Sequence, residues 1–224
     1  MDRSPISVIS TTTRTSALAT NKVLRNTYLL LGATLGFSAV TAGIAMAFEM
    51  RPFNIWMTLI GYYGLLFATM KTRNSAWGLA FVFALTGFMG LTLGPIVSLY
   101  LKFLPNGYQV VTTSLGITAA TFVGLSAYAV KSGRDFSFMG GFLTVGILGA
   151  FLLGLVAVLF HLPGLSLVVS GMFVLAMSGL ILFETSNIIH GGETNYISAT
   201  VSLYVSIYNL FLSLLNLLGS SSRN

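Results

Sequence analysis

Residues 183–218 read FETSNIIHGGETNYISATVSLYVSIYNLFLSLLNLL. From Tyr196 to Leu218 the run holds no charged residue, while the polar stretch before it holds two of the chain's five acids, Glu184 and Glu193. A charge-free run of this length meets the roughly 20 apolar residues that a helix needs to cross a bilayer core. Working outward, the pattern recurs over Thr27–Phe48, Phe53–Met70, Trp77–Leu101, Val110–Val130, Phe138–Phe160 and Leu165–Phe183. Breakers separate the segments, among them Arg51-Pro52-Phe53, Leu104-Pro105-Asn106-Gly107 and Leu162-Pro163-Gly164. No segment shows the alternation of a membrane β-strand.

Composition agrees. Charged residues are 7% and hydrophobic residues 55% of the 224-residue chain, with a mean hydropathy of +0.88. A soluble domain carries about 25% charged residues, so a chain this poor in charge cannot cover a water-facing surface. The fold class is all-α integral membrane, a bundle of seven transmembrane helices over residues 27–218. Residues 1–26 read as a flexible basic cytoplasmic tail, and 219–224 as a short tail on the other side. Lipid is the first partner. The net charge of +6 reports topology and points to no nucleic acid: Arg3, Arg14, Lys22, Arg25, Lys71, Arg73, Lys131 and Arg134 fall on the side of the N-terminus, against Arg51, Lys102 and Arg223 opposite. Basic residues collect in cytoplasmic loops, so the N-terminus is expected inside and the C-terminus outside.

Small residues recur at helical spacing in three places: Gly32 and Gly36, Gly90 and Gly94, and Gly116, Ala120 and Gly124. Such spacing lets helix backbones approach in lipid. The seventh segment carries a second periodic signal. Ser198, Ser202, Ser206, Asn209, Ser213 and Asn216 are three or four residues apart, which puts them on one helix face. A polar face cannot be satisfied by acyl chains, so it should meet protein or water. It reads either as a seam of interhelical hydrogen bonds or as the lining of a route for a small polar species.

Glu184 stands at the end of the sixth segment. Ionisable groups inside spans pair with one another or line cavities, so Glu184 is a candidate proton- or cation-sensitive residue. His190 and Glu193 are weaker candidates: His190 as an interfacial residue, and Glu193 as a carboxylate facing the positive end of the seventh helix. No catalytic set assembles. The order His190-Gly-Gly-Glu193 lacks the second histidine of a zinc-protease motif. Two separated histidines and no cysteine give no metal-site spacing. Neither a cofactor nor an enzymatic activity is expected.

The stretch FETSNIIHGGETNYISATVSLYVSIYNLF (183–211), with KVLRNTYLLLGATLGFSAVTA (22–42), TGFMGLTLGPI (86–96) and LSAYAVKSGRDFSFMGGFL (125–143), resembles the transmembrane BAX inhibitor motif family, in its bacterial YccA-type branch. The resemblance implies a seven-helix bundle with the last helix near the centre, surrounded by the other six, in a bacterial inner membrane with the C-terminus in the periplasm. It implies a partner, the membrane AAA protease FtsH, which such proteins modulate, and a role in quality control or stress. It also implies calcium or protons as candidate partners, through a leak gated by paired acids on helices six and seven. The first acid of that pair falls on Glu184, and the second falls on Ser206. A serine offers only a hydrogen bond where a second acid would share a proton.

Overall fold

The computed structural model describes residues 6–222, with side chains from residue 20. Seven helices follow one another: α1 (Ile6–Ala47), α2 (Ile55–Thr72), α3 (Ala76–Phe103), α4 (Gly107–Ser132), α5 (Met139–Leu159), α6 (Pro163–Ile189) and α7 (Tyr196–Ser221). No strand occurs among the described residues. Six of the helices are long and apolar enough to cross a membrane. The remaining one, α2, has 18 residues, about 27 Å at the helical rise, and Tyr62, Tyr63 and Lys71 dilute its apolar character.

The helix that carries the first span, Thr20–Ala47, begins at Ile6, within the segment expected as the N-terminal tail. Between Ile6 and Gly32 there is neither glycine nor proline, and extending an existing helix costs far less than nucleating one. Residues 1–5 of that expected tail lie outside the described residues, as do Arg223 and Asn224 at the other end.

The most buried helices are α3 and α7. α7 packs chiefly against α6, α1, α4 and α3, while α2 leans on α3 and α5 on α6. The last helix is therefore central but not ringed by six: α2 and α5 form outer walls. Leu203, Tyr204, Leu210 and Leu215 of α7 are almost fully buried, with Leu31, Val82, Leu85 and Ile181 from the surrounding helices. In lipid this packing holds helices together by van der Waals contact and hydrogen bonds rather than by exclusion of water.

Of the three small-residue spacings, one joins helices. A Cβ on Gly90 would strike Ser38 and Thr41 of α1, and one on Gly94 would strike the Ala42 carbonyl and Ala45. At Gly32, Gly36, Gly116 and Gly124 an added Cβ meets nothing. Beside the α1–α3 contact, Tyr204 donates to the Thr86 carbonyl at 3.3 Å and bonds the Ser38 hydroxyl at 2.6 Å, which ties α1, α3 and α7 at one point.

Candidate functional site at the α6–α7 junction

Gly191, at φ +76°, turns the chain out of α6 into a conformation glycine adopts without steric cost. The helix that follows is capped by Asn195. Its Oδ1 accepts from the backbone N–H groups of Ile197 (2.9 Å) and Ser198 (3.1 Å), and its Nδ2 donates to the Arg73 carbonyl and the Asn74 side chain of the α2–α3 turn. One side chain thus starts α7 and ties it to a neighbouring loop. Glu193 stands just before this cap, and its carboxylate accepts the Asn195 N–H at 2.8 Å.

His190 is exposed at the end of α6 and bonds backbone through both ring nitrogens. Its Nδ1 lies 2.8 Å from the Ser186 carbonyl and its Nε2 lies 3.1 Å from the Gly133 carbonyl of the α4–α5 connection. Ser186, fully buried, accepts the Phe136 N–H at 3.0 Å and donates to the Arg134 carbonyl at 3.1 Å. Together they clamp the loop 133–138 onto the end of α6. Inside that loop, Asp135 accepts the Ser137 N–H at 2.8 Å. This bond holds the exposed Asp135 carboxyl below the usual aspartate value.

Glu184 is half-buried at this end of α6. The polar group that meets its carboxyl is the Ser202 hydroxyl of α7, and Glu193 acts on it electrostatically. Ser206, where the resemblance places the second latch position, is fully buried and gives its hydroxyl hydrogen to the Ser202 carbonyl of its own helix at 2.8 Å. Ser202, one turn before Ser206 on α7, is thus the residue of that helix that acts on the Glu184 carboxyl. Deeper in the same region, Thr185 lies 3.4 Å from both the Tyr28 and Ser126 hydroxyls, so α1, α4 and α6 meet through hydroxyls. Thr27 and Thr200 lie beside them, with Thr200 bonding the Thr27 carbonyl at 3.3 Å. None of these five forms a periodic pattern in the sequence, because each helix contributes only one or two.

Along α7 the remaining stripe residues divide their bonds. Asn209 donates to the Val205 carbonyl of its own helix at 2.9 Å. Asn216 donates across to Ser166 (3.0 Å) and Ser170 (2.9 Å) of α6. Ser198 and Ser213 are buried. Ser206 is fully buried too, while Asn209, between it and Ser213, lines a cavity. Among the described residues, no three of His, Cys, Asp and Glu gather where they could hold a metal. At the opposite end of the bundle, Lys102 and Glu49 form an exposed ion pair at 2.7 Å, and the ammonium keeps the Glu49 carboxyl below its usual value.

Known proteins resemble this chain in sequence. The family described as "Inhibitor of apoptosis-promoting Bax1" matches residues 20–223. A protein of Escherichia coli K12 named "Modulator of FtsH protease YccA" is 52% identical over 218 residues, covering 97% of this chain and 98% of its own. One of Escherichia coli O6:H1, named "Inner membrane protein YccA", matches to the same extent. An uncharacterised protein of Pseudomonas aeruginosa is 54% identical over 200 residues, 88% of each chain. With the profile spanning every transmembrane helix and the glycine-capped α6–α7 junction inside it, the chain belongs to the Bax1-inhibitor, or BAX inhibitor motif, family.

Proposed function

We propose that this chain is a multi-pass protein of the bacterial inner membrane that binds and modulates a membrane AAA protease of the FtsH type, serving membrane-protein quality control or the stress response. The observation that carries this reading is the 52% identity, over nearly the whole of both chains, to a protein named for that modulation. The name describes an effect on a protease, and on that ground the chain is read as a non-catalytic partner.

Physical features support how such a protein would act. α1 has 42 residues, about 60 Å at the helical rise, roughly twice the thickness of a bilayer core. Its first turns therefore extend beyond the membrane, where a protease could engage them. The positive-inside bias supports a cytoplasmic position for that end and a periplasmic one for the C-terminus. An engaged protease would then pull on α1, whose backbone is packed closely against Gly90 and Gly94 of α3. A bundle knit this way resists extraction and would occupy the protease. Overproducing the protein and following turnover of an established FtsH substrate tests the proposal. Slowed turnover with co-purification of the protease is expected; unchanged turnover without co-purification would overturn it.

A second reading rests on Glu184. Its half-buried position beside Ser202 and Glu193 offers carboxylate oxygens to calcium or a proton, and the polar stripe would continue the route. In the observed conformation Ser206 and Ser213 of the stripe are buried, so conduction along it would require the surrounding helices to move apart. Cation flux into liposomes that changes in Glu184→Gln is the expected result of this reading. Flux equal to that of protein-free liposomes would remove it.

A further inference from the structure

Between the outer walls α2 and α5 lies a cavity of about 330 Å³ that reaches inward to α7. Its lining residues fall near the middle of every helix that builds it: Tyr62 on α2, Met89 on α3, Leu148 on α5, Met177 on α6 and Tyr208 on α7. The cavity therefore sits at the depth of the bilayer centre. Tyr63 and Leu148, at its rim, are 47% and 56% exposed, so its mouth opens toward the acyl chains. The rings of Tyr63 and Phe151 meet edge to face across that mouth at 6.3 Å, a side-chain contact that yields without moving either helix.

The walls are apolar, but the floor is not. Thr92 gives its hydrogen to the Met89 carbonyl at 2.7 Å, so its oxygen accepts from the Tyr208 hydroxyl at 3.0 Å. The Tyr208 oxygen keeps lone pairs free. Asn209 uses its amide nitrogen on Val205, leaving the carboxamide oxygen without a partner among the described residues. The Tyr62 hydroxyl, also lining the cavity, likewise has no hydrogen-bond partner among them. At this depth lipid tails cannot satisfy such groups, and each left unpaired is costly. Donor and acceptor thus line one apolar pocket, whose volume lies within the usual range for small-molecule sites.

We propose that this cavity is a binding site for a neutral, membrane-dissolved amphipath: an apolar body bearing one hydroxyl or carbonyl group, which enters between α2 and α5 and bonds Tyr62 and Asn209. An unsubstituted acyl chain fills the walls but leaves the floor unsatisfied. A charged headgroup could not be drawn to the bilayer centre without a large penalty. The site is independent of the protease reading and would hold whichever way that reading falls.

The test uses the full chain in lipid nanodiscs and two photoreactive probes, a long-chain alcohol with a mid-chain diazirine and the matching alkane without the hydroxyl. After irradiation, labelled positions are read by mass spectrometry. The alcohol is expected to label the α2, α6 and α7 residues of the cavity about ten-fold more than the alkane, the difference one or two hydrogen bonds provide. Leu148→Trp, which narrows the mouth from the lipid-facing side, should suppress labelling by both probes. Tyr62→Phe combined with Asn209→Leu should bring the alcohol down to the level of the alkane. Equal labelling by the two probes in the unaltered protein, as expected if only water or lipid tails enter, would overturn the proposal. So would full alcohol preference in the double variant. Should Leu148→Trp fail to fold, Tyr62→Phe alone decides: the alcohol preference must fall.

Discussion

Two seams hold the bundle together, and they use opposite chemistry. Between α1 and α3, Gly90 and Gly94 remove side chains so that backbone meets backbone, with Ser38 and Ala42 pressed against them. Between α6 and α7, side chains remain and carry the contact: Asn216 reaches Ser166 and Ser170, and Glu184 meets Ser202. The first seam is intolerant of volume and indifferent to polarity. The second tolerates changes of size better than the loss of a donor or acceptor. A membrane protein can thus combine a fixed seam with one made of bonds that can exchange, and Glu184 sits on the exchangeable one.

The contrast can be broken most sharply at the glycines. Gly90→Leu should destabilise the bundle by about 3 kcal/mol or more, because overpacking here meets backbone that cannot move aside. Gly36→Leu, at an equally spaced glycine with open space around it, should leave thermal unfolding in detergent nearly unchanged. Similar losses at both positions would erase the distinction. Next in size is Ser186→Ala, which strands the Phe136 N–H and the Arg134 carbonyl. A cost of about 2 kcal/mol is expected, seen as faster hydrogen exchange in residues 133–138. Asn216→Ala should cost about 1 kcal/mol, typical of interhelical hydrogen bonds in membranes, and Asn216→Leu no less despite its greater volume. The smallest effect is at Asp135. Because its carboxyl is held below the ordinary value of 3.8 by its bond from Ser137, the bond's contribution is complete above that value and disappears as pH falls through the lower folded value. Protection of the Ser137 amide should therefore persist through neutral and mildly acidic pH, fade only in strong acid, and be missing at all pH in Asp135→Ala.

The bundle was legible from hydropathy because lipid imposes the same requirement on every span. The central place of α7 followed from its polar stripe and from the family resemblance. What spacing could not reveal is what each face meets. Gly32 and Gly36 repeat the spacing of Gly90 and Gly94, yet only the latter pair faces a neighbouring backbone, a difference set by how α1 is rotated in the bundle. The stripe located Ser202 and Ser206 equally well but could not say which turn of α7 lies level with Glu184. Asn195 carries a cap signal in its position just before the apolar run, but an acid two residues earlier, Glu193, offers a competing one. The hydroxyl meeting of Tyr28, Ser126 and Thr185 joins three helices and has no signature in any one of them. The mid-membrane cavity is likewise a property of five helices together.

Because the name of the E. coli relative carries the functional reading, the protease effect is the claim to test most directly. Purified protein and a purified FtsH-type protease can be placed in the same liposomes, and the half-life of a membrane substrate of that protease measured as the ratio of the two proteins is raised. The account predicts that degradation slows several-fold as this protein approaches the protease in amount, while the protein itself survives. It also predicts that Gly90→Leu, which loosens the α1–α3 seam, turns it from a modulator into a degraded substrate. Substrate turnover that is the same at every ratio, with the protein present and folded, would contradict it.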